Sequence, residues 1–263
     1  MSLEKYGPWA LIVGGSEGIG SALARKLAAQ KFNLVIVARK PGPLEELACE
    51  IRETGVQVRT VCADLSQPDA LEKVRAATDD AEIGFLIYNA GANSVRGNIV
   101  ELDPEVYRAV IGVNVLGQVE FTRHYGGLMR ERGRGGVMLA GSASNFLGAA
   151  TLGPYAASKA FSRIFSEALW AECKPMGIDV LHIVINFTDT PAMKRLGIDT
   201  GAAQSPAEVA QEALDNMRNG PLLILGGEKA LETAIKRSGL IDRGALITSI
   251  ATPKREAIPH VRA

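Results

Sequence analysis

Seven short apolar runs recur along the chain: Trp9–Val13, Leu34–Ala38, Val56–Cys62, Ile83–Asn89, Gly136–Gly141, Val180–Ile185 and Leu222–Leu225. Most are apolar almost throughout, where a strand with one wet face would alternate. Strands of this kind are covered on both sides, as in a parallel sheet. Parallel neighbours need crossover connections rather than hairpins. Helix-period stretches lie between the runs, at Ile19–Gln30, Leu44–Thr54, Ala70–Ala77, Pro104–Arg132, Pro154–Lys174 and Pro206–Asn219. The last opens with Ser205-Pro206-Ala207-Glu208, a Ser cap followed by Pro at the first position and Glu at the third. The repetition predicts an α/β fold, a doubly wound central parallel sheet of about seven strands flanked by helices. No linker or repeat divides it, so one domain over 1–263 is expected. Its core should span about 8–226, and 227–263 should add a helical stretch, Glu228–Arg237, and a polar tail.

Charge removes several function classes. The 29 Lys+Arg balance 29 Asp+Glu, whereas nucleic acid or an anionic membrane as main partner calls for a basic surplus. No apolar run approaches the roughly 20 residues of a membrane span. Met1-Ser2-Leu3-Glu4-Lys5-Tyr6 lacks the apolar core of a signal peptide, so a cytoplasmic location is expected. Cys49, Cys62 and Cys173 are odd in number and far apart, which argues against a disulfide framework. His124, His182 and His260 are scattered too, so no metal site is expected.

The first run leads into Gly14-Gly15-Ser16-Glu17-Gly18-Ile19-Gly20 and then into a helix. Glycines there permit φ > 0 and let the backbone approach a pyrophosphate at the helix N-terminus. A purely structural turn would use glycines as well. Its position after the first strand is what selects the dinucleotide reading. With spacing Gly-x-x-x-Gly-x-Gly at Gly14, Gly18 and Gly20, the turn resembles that of the short-chain dehydrogenase/reductase family. Val13 stands where that family usually has Thr. The resemblance implies a Rossmann-type domain with Gly14, Ser16, Glu17, Gly18, Ile19 and Gly20 against the cofactor.

The second strand ends Val37-Ala38-Arg39-Lys40, without the acid that accepts from a ribose 2′-hydroxyl. A guanidinium pairs bidentately with a phosphate, so Arg39, with Lys40 beside it, favours NADP(H) over NAD(H). Two solvated loop cations are the plainer alternative. Glu17 would repel a 2′-phosphate unless it pairs with Arg39. By resemblance, Asp64-Leu65 lies against the adenine, Asn89-Ala90-Gly91 forms the family's Asn-Ala-Gly turn, and Thr188 and Thr190 meet the nicotinamide side. The usual Pro-Gly before that Thr is replaced by Ile185-Asn186.

Tyr155-Ala156-Ala157-Ser158-Lys159 sets a phenol and an ammonium one helical turn apart. A nearby ammonium favours the phenolate, which lets the phenol exchange a proton with a carbonyl oxygen near neutral pH. Ser142 lies thirteen residues before Tyr155, the family's separation for its catalytic serine. Asn114 matches the family's fourth catalytic residue, which by resemblance holds a water connecting Lys159 to solvent. A side chain bonded back to a helix carbonyl is the bland alternative. The resemblance covers roughly 8–193 and implies a two-fold dimer through the helices bearing Asn114 and Tyr155, with a tetramer in question. Phe161, Phe165, Leu169 and Trp170 would supply the apolar outer face.

Phe146, Leu147, Leu152, Phe187, Met193 and Leu196 are candidate pocket residues, in the loops Ala92–Val95, Ser144–Leu152 and Pro191–Thr200 and at Phe187 itself. An apolar lining suits a ketone or secondary alcohol with a large hydrophobic body, such as a steroid, aromatic or acyl compound. Core packing under a lid is the alternative. Arg123, Arg130, Arg132 and Arg134 read as a solvated face rather than a coenzyme-A site. The expected activity is NADP(H)-dependent oxidoreduction. A non-catalytic NADP-binding sensor or scaffold and a sugar-nucleotide epimerase or dehydratase are the alternatives.

Overall fold

The computed structural model describes residues 3–92, 97–201, 203–239, 241 and 243–249. In chain order the elements are α1 (Leu3–Tyr6), β1 (Trp9–Val13), α2 (Gly18–Ala29), β2 (Asn33–Ala38), α3 (Pro41–Arg52), β3 (Val58–Cys62), α4 (Ala70–Ala76) and β4 (Ile83–Tyr88). They continue with α5 (Pro104–Ile111), a π-helical turn (Gly112–Leu116), α6 (Gly117–Arg132), β5 (Gly135–Ala140), α7 (Gly153–Cys173) and β6 (Ile178–Val184). The last are α8 (Pro191–Arg195), α9 (Pro206–Asp215), β7 (Leu222–Ile224), α10 (Gly227–Ser238) and α11 (Arg243–Ser249). The sheet is ordered β3-β2-β1-β4-β5-β6-β7, and each paired neighbour runs parallel.

Double-sided burial accounts for the apolar runs. Along β1, Ala10 and Ile12 enter one core with Leu23, Leu27 and Leu214, while Leu11 and Val13 enter the other with Phe121 and Tyr125. Successive strand residues face opposite ways, so each face receives its own layer. β2 and β4 flank β1, so strand order reverses there, and a crevice opens beyond the carboxyl ends. α9 begins with the expected capping box: the Ser205 hydroxyl accepts from the Glu208 amide, and the Glu208 carboxylate accepts from the Ser205 amide.

The expected single helix Pro104–Arg132 is instead α5, a π-helical turn and α6. The turn holds Asn114, whose side chain is drawn inward onto the backbone of Ala92, at the cost of the regular i→i−4 ladder. α1 and α8 carry too few residues to show a period, and α11 occupies part of the expected polar tail. The tail from 250 onward, with His260, and most of the Ala92–Val95 loop fall outside the described residues. No described helix is long and apolar enough to cross a membrane. No described cluster of His, Cys, Asp and Glu suits a metal ion.

Candidate active site

The glycine turn is held in place from β4. Gly14 has φ +83°, and a Cβ there would come within 2.7 Å of the Ala90 backbone. The Asn89 amide donates to the Gly14 carbonyl at 2.8 Å, and a side chain on Gly20 would overlap that same carbonyl. Asn89 and Ala90 thus fix the turn, and glycine is needed where the chains touch. Ile19 is buried in the core and Ser16 is half-buried. Glu17 occupies the cap position of α2 in extended conformation, but its side chain makes no cap bond. The first amides of α2 therefore receive nothing from it, and they suit a pyrophosphate.

Arg39 and Lys40 follow β2 and are exposed. Burial alone would raise the Asp64 carboxyl. Hydrogen bonds from the Ser66 amide (3.0 Å) and hydroxyl (2.8 Å), with the charges of Arg39 and Lys73, outweigh it and hold the group below its ordinary value. Leu65 is buried behind. Glu17 finds cations other than Arg39. Its carboxylate meets Arg195 of α8 at 2.6 Å and Lys40 at 4.0 Å, because α8 is docked beside the turn. Residues 17 and 195 are too far apart in sequence for any local pattern to reveal the pair.

Three elements converge beyond the carboxyl ends of β4 and β5. Ser142 stands just past β5 in extended conformation, and its hydroxyl oxygen accepts from the Ser144 amide at 3.2 Å. Its own proton remains available to a substrate oxygen. Lys159 is 3% exposed, and its ammonium donates to the Ala140 carbonyl at 2.8 Å. It lies 5.9 Å from the centre of the half-buried Tyr155 ring. Burial lowers the Lys159 pKa from 10.5 to about 8. Asn114 is fully buried: it accepts from the Ala92 amide (2.8 Å) and donates to the Ala92 carbonyl (3.1 Å) and to Ser158 (3.0 Å). Ser158 in turn donates to the Tyr155 carbonyl at 2.7 Å. Asn114 therefore bonds across to another segment instead of back to its own helix. A Cβ on Gly91 would come within 3.2 Å of the Lys159 ammonium and 3.7 Å of Asn114. Positive charge beside a phenol, with a hydroxyl across from it, can move a proton to a carbonyl oxygen.

Thr190 caps α8, accepting from the Met193 amide at 3.2 Å, and packs beside Gly18. The buried Thr188 hydroxyl donates to the Asn186 carbonyl at 3.2 Å, inside its own loop. Sequence reading missed His182, a lone imidazole in an apolar strand. It is fully buried under Gly141, facing Ser166 (3.2 Å), Ser162 (3.4 Å) and Asn145 (3.5 Å). Burial first, then the charges of Lys159 and Arg163, push its pKa to about 3, so the ring is neutral.

The apolar rim differs from the expected lining. Phe146 belongs to a small core with Val184 and Ala234, and Arg243 donates to its carbonyl at 3.0 Å. Leu147 is buried as well. Phe187 is 68% exposed, Leu152, Met193 and Leu196 are partly exposed, and Ile99 and Val100 add exposed apolar surface. The segment with Ile99 lies near α7, since the Gly97 amide donates to the Thr151 carbonyl. Arg132 donates to the Ile83 carbonyl and Arg134 pairs with Glu82, at the opposite ends of the strands from the site. On the outer face, Phe165, Leu169 and Trp170 pack against the core instead of standing clear. Ile111, Leu116, Phe161 and Ile164 are the exposed apolar residues there.

The short chain dehydrogenase family model matches residues 8–200. The chain is 40% identical over 191 residues to a 7beta-hydroxysteroid dehydrogenase of Collinsella aerofaciens, with 72% of each chain covered. It is similar to a solved structure described for 7beta-hydroxysteroid dehydrogenase stereoselectivity, with TM-score 0.87 and 33% identity, covering 94% of this chain and 98% of that one. It is also similar to a short-chain dehydrogenase from Sphingobium yanoikuyae in complex with NADPH, with TM-score 0.79 and 30% identity, covering 95% and 99%.

Proposed function

The chain belongs to the short-chain dehydrogenase family, and from that premise we propose an NADP(H)-dependent oxidoreductase that interconverts a ketone and a secondary alcohol on a bulky hydrophobic substrate. The convergence of Ser142, Tyr155, Lys159 and Asn114 beyond the sheet's carboxyl edge carries this reading. The uncapped N-terminus of α2 suits a pyrophosphate, and Arg39 with Lys40 suits a 2′-phosphate. Asp64, Leu65, Asn89, Ala90, Gly91, Thr188 and Thr190 complete the walls of that site. The nicotinamide supplies or accepts the hydride when bound. Tyr155 gives its phenolic proton to the carbonyl oxygen in reduction and takes it back in oxidation. The Lys159 ammonium, beside the Tyr155 ring, stabilises the phenolate as the proton leaves. Ser142 donates to the same oxygen as charge grows on it. Asn114 ties the Ala92 backbone to the first turn of α7, so that the tyrosine is held in place.

The exposed apolar rim, Phe187 with Ile99 and Val100, favours a large rigid hydrocarbon body. The hydroxysteroid dehydrogenase relatives make a steroid the leading class. Ile111, Leu116, Phe161 and Ile164 favour a dimer through this face. Three free thiols favour a cytoplasmic location. Replacing Tyr155 with Phe keeps the ring and removes the proton. Turnover should fall at least about a hundredfold with NADPH binding nearly intact. Retention of more than about a tenth of turnover, with a deuteride isotope effect showing that chemistry limits the rate, overturns the assignment.

A further inference from the structure

We propose that Arg195 sets the preference for the phosphorylated dinucleotide indirectly, by neutralising the Glu17 carboxylate beside the 2′-phosphate position. The inference rests on the NADP(H) reading above. Glu17 stands at the cap of α2, where a carboxylate would ordinarily turn inward onto the first helical amides. It turns outward instead and lies between two cations, Arg195 at 2.6 Å and Lys40 at 4.0 Å. Lys40 follows Arg39 at the end of β2, the place where a dinucleotide's 2′ substituent is read. An acid therefore sits inside the cation group that would receive a phosphate. Left alone, it would repel the phosphate and engage Lys40. An acid near this place is also the ordinary acceptor for a free 2′-hydroxyl.

Arg195 comes from far along the chain, and the fold specifies its approach. Thr190 caps α8 and packs beside Gly18, the residue after Glu17. One helical turn after the start of α8, Arg195 reaches back to the carboxylate. The neighbouring cation, Lys194, is engaged elsewhere, with Asp189 at 3.2 Å. Arg195 acts here as a positioning residue whose effect passes through Glu17.

Dissociation constants for NADPH and NADH, read by fluorescence titration, test this on the wild type, Arg195→Ala, Glu17→Gln and the double variant. In Arg195→Ala the affinity ratio should move toward NADH about sevenfold, the size of a single negative charge acting on a phosphate dianion roughly 7 Å away in water. The double variant should return to within about twofold of the wild-type ratio, because the acid that Arg195 offsets is gone with it, and Arg195→Lys should keep the wild-type ratio. A change below about twofold in Arg195→Ala, with the fold verified by thermal melting, overturns the inference. So does a double variant that stays as far from the wild-type ratio as Arg195→Ala, which would show that Arg195 does not act by offsetting Glu17. A wild type that binds NADH more tightly overturns the cofactor reading instead, and is seen before any variant is made.

Discussion

Replacing Lys159 with Met should make the protein more stable and inactive. The ammonium is buried, and burial lowers its pKa from 10.5 to about 8. A gap of about 2.5 units is worth about 3 kcal/mol, since each unit carries about 1.4 kcal/mol. Methionine fills similar space without charge, but the Ala140 carbonyl loses its donor, which costs about 1 kcal/mol. The net gain at pH 7 is about 2 kcal/mol, or roughly 4–8 °C in melting temperature for a chain of this size. Its pH dependence is the discriminating signature. Below pH 8 the lysine is charged in both folded and unfolded chains, and the folded state bears the full penalty. Between 8 and 10.5 the unfolded chain still holds the proton and the folded one has released it, so the penalty shrinks as pH rises. Buried tyrosines such as Tyr6 and Tyr88 are common to both proteins and cancel. Calorimetry on the cofactor-free proteins at pH 7, 8 and 9.5 should therefore show the variant's advantage narrowing. An advantage that stays constant with pH, or a variant that melts lower at pH 7, refutes the reasoning.

Arg39→Asp should raise the KM for NADPH at least about tenfold and improve use of NADH, because a charge-assisted hydrogen bond is worth about 1.5–3 kcal/mol; steady-state kinetics with both dinucleotides checks it. Gly141→Ala would drive a methyl into the His182 ring, so urea denaturation should show a loss of about 1–3 kcal/mol. Ile164→Asp puts a charge on the exposed apolar face of α7, and light scattering at micromolar concentration should show a dimer reduced to a monomer.

The strand interiors were legible because both faces of the sheet are buried, so each run is apolar without interruption. The glycine turn and the Tyr155–Lys159 pair were legible because one local stretch holds each, close to the start of a helix. What was hidden depends on groups that meet only after folding. The π-helical turn is where Asn114 binds Ala92 and the Tyr88 hydroxyl donates to the Val113 carbonyl, and periodicity alone continues straight through it. The burial of His182 under Gly141 and the hold of Arg195 on Glu17 leave no pattern in any window. The two readings of Phe146 stay open in the sequence because an apolar residue in a loop beside a site looks the same whether it lines a pocket or packs against Ala234 of α10.

The turn at Gly112–Leu116 also governs how this chain can change over generations. It behaves as a single inserted residue inside an otherwise continuous helix. The wide turn absorbs that surplus locally, so losing one residue here would restore the regular ladder and leave α5 and α6 on their present faces. Phe121, Tyr125 and Met129 would stay buried against the sheet. What would go is the aim of Asn114 onto Ala92. The core layer can therefore absorb a one-residue deletion here that the site cannot.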